Sequence, residues 1–345
     1  VDSTSPHNGS IPSAERLRAS LTAVARDPAS REIARRVRSL VGDGRVVVAC
    51  SGGADSTALA LALAAAKWTE RSIAAHVVHD LRPPDQAHAD RDFVRALAAA
   101  LGMAFDERAV TVPKGENAEG AARRLRYGAL IDVARAHECG DVLTAHHADD
   151  QLETMLLALV RGAGPKGMSG MRPKRRLADG VTLVRPMLGV SRADGERICT
   201  LAGVEWRVDA TNADLSRARA AVRHRVLPVL EELRPGVAAR AADSANLLHD
   251  AWLLVDARTN EVFGEGFDWP RADLRAESAL VVGEGLRRAF ARSTGDQHKD
   301  RLPRRVVEQA VVFIRSRSGE TKVFQWPRGV TVEVTRERVR VTSPC

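Results

Sequence analysis

The stretch Arg45 to Ser56, RVVVACSGGADS, constrains the fold of this chain more than any other. Val46, Val47, Val48, Ala49 and Cys50 form a short apolar, β-branched run that reads as a buried strand, and Thr57 to Ala66 reads as an Ala/Leu-rich helix. Between them stands Ser-Gly-Gly-Ala-Asp-Ser. Two glycines at a strand-to-helix turn let the backbone approach a ligand closely, and the open N–H groups of the first helical turn, with the hydroxyls of Ser51 and Ser56, suit an anion. Ser51, Gly52, Gly53, Ala54, Asp55 and Ser56 are therefore the candidate phosphate-binding residues. A plain turn capped by Ser56 or Asp55 explains the same residues without a ligand.

Apolar runs at Ser72 to His79, Ala104 to Thr111 and Asp141 to Ala145 follow, each leading into a helical stretch near Gln86 to Leu101, Ala118 to His137 and Asp149 to Arg161. This alternation predicts an α/β fold in which a parallel sheet is covered by helices, with ligands bound at the carboxyl ends of the strands. Two helical patterns, Ala14 to Ala25 and Arg31 to Val41, precede the first strand behind a Ser/Pro/Gly/Asn-rich tail over residues 1–12, which reads as disordered. From Gly162 to Pro186 periodicity lapses and a loop is expected. Within Arg161 to Arg176 lie six basic residues and no acidic one. Helices resume at Ser191 to Ala202 and Ser216 to Leu233, the second carrying Arg217, Arg219, Arg223 and Arg225, of which Arg219 and Arg223 share a face.

Pro235-Gly236 reads as a boundary. Beyond it a smaller, mostly helical region is expected, with helices at Val237 to Val255, Ser278 to Ala291 and Pro303 to Arg317. Short strands at Lys322 to Trp326, Val330 to Val334 and Val339 to Thr342 close it, with a β hairpin at Pro327-Arg328-Gly329. The expected division is residues 1–40, an N-terminal tail and helices; 41–228, the nucleotide domain; and 229–345, a C-terminal region for a nucleic-acid partner.

A chain of 345 residues can bury a full core and hold two domains. Its net charge of +8 suits a polyanionic partner. Aromatic residues make up only 4%, with Tyr127 the single tyrosine, which argues against a stacking platform for single strands. Cys50, Cys139, Cys199 and Cys345 are dispersed without a CxxC pair, so neither zinc nor a disulfide framework is indicated. With no leader-like start and no apolar run near bilayer length, the expectation is a soluble, cytoplasmic protein with no membrane partner. Oligomeric state is not readable, a homodimer being one arrangement among those open.

A second constellation is Thr144-Ala145-His146-His147-Ala148-Asp149-Asp150-Gln151-Leu152-Glu153-Thr154, at another strand-to-helix junction. Asp150 and Glu153, three apart, are adjacent on one helix face, where they can hold Mg²⁺ or a substrate ammonium. Acidic residues there also offset the helix macrodipole with no further role. In a third segment, NAEGAARRLRY, Arg123 and Tyr127 are i, i+4 neighbours and Arg126 lies one turn beyond Arg123, so the helix can aim a guanidinium at phosphates.

SGGADS lacks the lysine of GxxxxGK[ST] and instead matches the SGGxDS signature of the N-type ATP pyrophosphatases, the PP-loop family, which cleave ATP between the α and β phosphates. With HVVHDLRPPDQAHADRDF, NAEGAARRLRY, TAHHADDQLETMLLALVRGAGPKGMSGM, RPMLGVSR, VEWRVDATN and RARAAVRHRVLP in order, the chain resembles the tRNA(Ile)-lysidine synthases from about Val46 to Pro228. It departs from them at Ala220, where that family has asparagine after the arginine.

The resemblance implies a ligase that joins L-lysine to the wobble cytidine (position 34) of tRNA(Ile) with a CAU anticodon, through an adenylated cytidine, with ATP and Mg²⁺. Asp55 and Asp150 are then expected on Mg²⁺ or the lysine ammonium, and Arg123 on the α-phosphate. His146 or Glu153 would take the amine proton. Arg161, Lys166, Arg219 and Arg223 are expected on the tRNA backbone. The alternatives are a PP-loop tRNA thiolase, an ammonia-using synthetase of the GMP type, for which no glutaminase domain fits the length, and a non-catalytic basic RNA-binding protein.

Overall fold

A computed structural model of the protein describes residues 8–80, 83–113, 118–208, 218–295 and 302–344. The chain forms two compact units, Val1–Leu247 and Leu248–Cys345.

The larger unit begins with strand β1 (Asn8–Ser10) and helices α1 (Ala14–Arg26) and α2 (Pro28–Leu40). Asp27 starts α2 by accepting hydrogen bonds from the N–H groups of Ala29 and Ser30, and Pro28 takes the first position, where its missing N–H costs nothing. Strand β2 (Val46–Ala49) and helix α3 (Ala54–Ala65) flank the SGGADS turn. Val46 to Val48 and Ala58 to Leu63 are buried, so α3 is apolar on every side and lies inside the unit instead of on its surface.

Strand β3 (Ser72–His79), helix α4 (Pro84–Leu101), strand β4 (Ala104–Val110), helix α5 (Ala118–Ala136), strand β5 (Asp141–Leu143) and helix α6 (Ala148–Val160) continue the expected alternation. After them come a helical turn, α7 (Pro165–Met168), and strands β6 (Lys174–Ala178) and β7 (Val181–Val184). The six-stranded sheet runs β4-β3-β2-β5-β7-β6, parallel except for the β6–β7 pair. From β2 the chain builds outward first to one side, through β3 and β4, and then to the other, through β5 and β7. That reversal opens a crevice at the carboxyl ends of β2 and β5.

The stretch 162–186, expected as a loop, therefore contributes a hairpin to the sheet. Its edge strand β6 is solvent-facing at Lys174, Arg175 and Arg176 and needs no apolar alternation, while β7 is only four residues long. Gly180, in the left-handed region at φ 75°, makes the turn between them. Of the tail, residues 1–7 lie outside the described residues, and residues 8–12 depart from expectation. β1 pairs antiparallel with β8 (Glu205–Arg207), which follows α8 (Arg192–Ala202).

Residues 218–233 form one helical run: α9 (Ala218–Ala221), a π turn over Val222–Val226, and α10 (Leu227–Leu233). Arg217 and Asn117, from the motifs quoted above, lie outside the described residues. Helix α11 (Val237–Phe263) leads into the smaller unit. There strand β9 (Asp268–Pro270) and helices α12 (Arg271–Ala276), α13 (Ala279–Ser293) and α14 (Arg304–Arg315) precede β10 (Lys322–Gln325), β11 (Thr331–Val334) and β12 (Arg338–Thr342). The expected hairpin is present, and β9 adds a fourth antiparallel strand in the order β10-β11-β12-β9. Among the described residues no helix is long and apolar enough to cross a membrane.

Candidate active site

At the end of β2, Cys50 donates its N–H to Ala75 O at 2.8 Å, and the chain then turns through Gly52 at φ 88°. A Cβ at Gly52 would sit 3.4 Å from Phe93 and 3.5 Å from Arg207, in a backbone conformation that side chains disfavour. Ser56 Oγ ties the turn together, accepting from Ser51 N at 3.1 Å and donating to Gly53 O at 3.1 Å. Gly53 is the residue that caps α3, and it supplies no side-chain acceptor. The first-turn N–H groups of α3 thus remain available to an anion. Arg207 braces the turn, its N–H on Gly52 O at 3.0 Å and its Nε on Asp90 at 2.8 Å.

A cavity of about 240 Å³ opens beside this turn, lined by Ser51, Asp55, Ser56, His76, Arg126 and His146 among others. His76 donates Nδ1–H to Cys50 O at 2.8 Å, and burial pushes its pKa down, so its imidazole is neutral.

His147, the residue that caps α6, carries no individual role in the sequence, and the structure places it at the centre of the site. Its ring is 4% exposed, with Nε2 3.4 Å from Asp55 and 3.5 Å from Asp150, and Nδ1 3.4 Å from Asp149. Burial opposes its charge, but the three carboxylates prevail and push its pKa up to about 10. His146, one residue earlier, goes the other way. Burial, aided by Arg185, Arg123 and Arg126 and opposed by Asp150, drives it down to about 3, and its Nδ1 hydrogen-bonds Thr144 Oγ1 at 2.8 Å. Two adjacent histidines therefore hold opposite charge states at neutral pH. Only the tertiary environment separates them.

Asp150 accepts from His147 N–H at 3.2 Å through Oδ2, and through Oδ1 from Arg219 and Arg223, each at 3.2 Å. Burial raises its pKa, but His147 and Arg219 outweigh that and hold it below the usual carboxylate range. Glu153 is fully buried and receives Nε of both Arg219 and Arg223 at 2.6 Å. Arg219 and Arg223, expected on an RNA backbone, lie on the two carboxylates of the HHADDQLET segment. Their i, i+4 spacing was the available signal, and the π turn beginning at Val222 sets how Arg223 reaches α6. Ala220 lies between them.

Arg123 lies 5.1 Å over the ring of Tyr127. Arg161, at the end of α6, and Lys166, on α7, are exposed. Among the described residues no group of three or more His, Cys, Asp or Glu side chains is arranged to hold a metal ion. Asp150 has both oxygens engaged, whereas Asp55 Oδ1 makes no hydrogen bond. That donor set fits Mg²⁺ arriving on a triphosphate, which needs one or two carboxylates and not a protein cage. Cys50, Cys139 and Cys199 are free and buried, and burial pushes the Cys50 thiol up to about 12.

The PP-loop domain family matches residues 26–230. A tRNA(Ile)-lysidine synthase from Bordetella bronchiseptica is 40% identical over 280 residues, 76% of this chain and 79% of that one. Another from Salinispora arenicola is 34% identical over 322 residues, 91% of this chain and 96% of its own. Among solved structures, a U34-tRNA thiolase from Methanococcus maripaludis shares the fold with a TM-score of 0.51 at 16% identity, over 64% of this chain and 78% of that one.

Proposed function

The chain belongs to the tRNA(Ile)-lysidine synthases of the PP-loop family, and on that premise we propose that it joins L-lysine to C2 of the wobble cytidine of an isoleucine tRNA with a CAU anticodon, consuming ATP. The observation that carries this reading is the continuity of the site. An anion-ready turn lacking the P-loop lysine is linked through Asp55 and His147 to a set of paired carboxylates and guanidinia.

In the first step the cytosine O2 attacks the α-phosphorus, the bond to the bridging oxygen breaks, and pyrophosphate leaves. The SGGADS turn and the N-terminus of α3 receive the departing phosphates. Arg123 offsets charge on the α-phosphate. Mg²⁺, when bound, screens the triphosphate, and Asp55 is the carboxylate free to hold it. In the second step the lysine ε-amine attacks C2, the C2–O bond breaks, AMP leaves and the nitrogen loses a proton. Arg219 and Arg223, held by Asp150 and Glu153, offer their remaining N–H groups to the carboxylate of a free amino acid. His146, held neutral, accepts a hydrogen bond from the attacking amine; its low basicity keeps it from retaining the proton. Arg161 and Lys166 are assigned to the tRNA backbone. We assign the enzyme to the cytoplasm, where it would meet its tRNA substrate.

The thiolase alternative gains nothing from the described cysteines, which are buried and, where their pKa departs, pushed away from the reactive thiolate. The test is incorporation of labelled lysine into a CAU-anticodon tRNA(Ile) transcript with ATP and Mg²⁺. Asp55→Ala should abolish incorporation while leaving tRNA binding nearly intact. A folded wild-type protein that puts no label on the tRNA would refute the reading.

A further inference from the structure

Tyr127 is surrounded by positive charge. The guanidinium carbons of Arg123, Arg126 and Arg175 lie 5.1, 5.5 and 5.3 Å from its ring centroid. Arg185, only 3% exposed, joins them: its side chain donates to Arg172 O at 2.7 Å and interacts with the phenol of Tyr127. Among the described residues no carboxylate pairs with Arg123, Arg126 or Arg175. The π face of one ring attracts each cation by about 0.5–2 kcal/mol and does not neutralise four. A site of this kind is complete only with an anion.

We propose that Arg126, Arg175 and Arg185 around Tyr127 seat one phosphodiester of the tRNA anticodon loop beside the nucleotide being adenylated, with Arg123 reserved for the α-phosphate. The inference rests on the lysidine-forming reading and adds the place where the RNA strand is gripped. Position in the sheet separates this seat from the ATP phosphates. The phosphate turn follows β2, whereas Arg175 opposes Leu183 near the carboxyl end of β7, and Arg185 follows β7 directly, with its N–H on Pro173 O at 2.8 Å. Strand β5 lies between β2 and β7. His146, just past the end of β5, feels Arg185, Arg123 and Arg126 together, and Arg126 also lines the nucleotide cavity. An RNA phosphate at the cluster would therefore hold the strand beside the nucleotide cavity that Arg126 also lines.

Arg175 is exposed, so Arg175→Ala tests the seat without opening the core. Binding of the CAU-anticodon transcript and of ATP is measured separately on wild type and variant across a salt series, alongside lysine incorporation. The expected result is a roughly tenfold weaker tRNA Kd, as for a lost charge-assisted hydrogen bond, with a salt slope shallower by about one and ATP binding unchanged. Arg175→Lys should keep the salt slope and recover part of the affinity. Unchanged tRNA binding in a variant of an enzyme that does incorporate lysine overturns the inference alone. Weakened ATP binding with intact tRNA binding overturns it in favour of an ATP-phosphate site. Failure of the wild-type protein to incorporate lysine overturns the functional reading and the inference with it.

Discussion

His147 Nε2 stands 3.4 Å from Asp55 Oδ2, so the helix start that follows β5 is clamped to the phosphate turn that follows β2. The clamp is a buried cation among three carboxylates, and removing it leaves like charges facing one another. His147→Ala should destabilise the larger unit by about 3–5 kcal/mol, the usual cost of breaking a buried ion pair from one side. Urea unfolding of both proteins measures this. A loss below about 1 kcal/mol, in the range of exposed pairs, would show that the carboxylates find another partner.

The depressed pKa of His146 predicts an acid-side limb in stability. Its folded value, about 3, lies below its unfolded value near 6.5, so the unfolded chain takes up a proton first as pH falls. The stabilisation is present above pH 6.5 and is lost progressively as pH falls through about 3, by at most about 1.4 kcal/mol per pH unit. His146→Gln should flatten that limb in denaturant titrations run in metal-free buffer. An unchanged slope between pH 6 and about 4 would contradict the assignment.

Gly52→Ala should weaken ATP binding more than it weakens the fold. A residue with a Cβ at φ 88° costs about 1–2 kcal/mol, and its contacts at Phe93 and Arg207 resist relaxation. The displaced turn misaligns the open N–H groups at the start of α3. Isothermal titration with a non-hydrolysable ATP analogue should show at least a tenfold loss of affinity, on the order of that strain; wild-type affinity would mean that the turn does not contact the phosphates.

Glu153→Gln separates the two half-reactions. Glu153 receives Nε of both Arg219 and Arg223 at 2.6 Å, and the substitution leaves those guanidinia one acceptor there and Asp150 as their remaining carboxylate. The KM for lysine should rise by more than about tenfold, as when a charge-assisted hydrogen bond is lost. Pyrophosphate release driven by tRNA without lysine should persist. Equal loss of both would place Glu153 in adenylation.

In the smaller unit the buried Arg271 donates to the carbonyls of Phe313, Ile314, Ser316, Ser318 and Thr335, joining α14 to the sheet with no carboxylate partner among the described residues. Lysine has neither the planar fork nor the number of donors for this arrangement. Arg271→Lys should cost about 2–4 kcal/mol through carbonyls left unsatisfied, read as faster amide exchange in β9 and β11. Wild-type protection there would refute the assignment.

The alternation of apolar runs and helices located β2 to β5 and the helices after them, because burial on both faces of a parallel sheet leaves a direct mark on composition. The β6–β7 hairpin left no such mark. Its edge strand is basic and its inner strand short, and only the Asp179-Gly180 pair signalled a turn. The β1–β8 pair was equally silent, since three-residue strands far apart in the chain carry no periodicity. Of the site, SGGADS and HHADDQLET were legible as motifs because anion binding at a helix start needs particular residues in consecutive order.

Sequence by itself determined the parallel strands β2 to β5, the phosphate turn and the residue types gathered at their carboxyl ends. Only the tertiary structure decided what those residues do to one another. His146 and His147 are chemically identical neighbours, yet one is neutral and the other charged, because charge state depends on which partners fold in from other elements. Arg219 and Arg223 look like any basic helix face until the fold sets them on Asp150 and Glu153. Local propensity acts between near neighbours and is written in order along the chain; electrostatic partnership acts through space and is fixed only when distant segments pack.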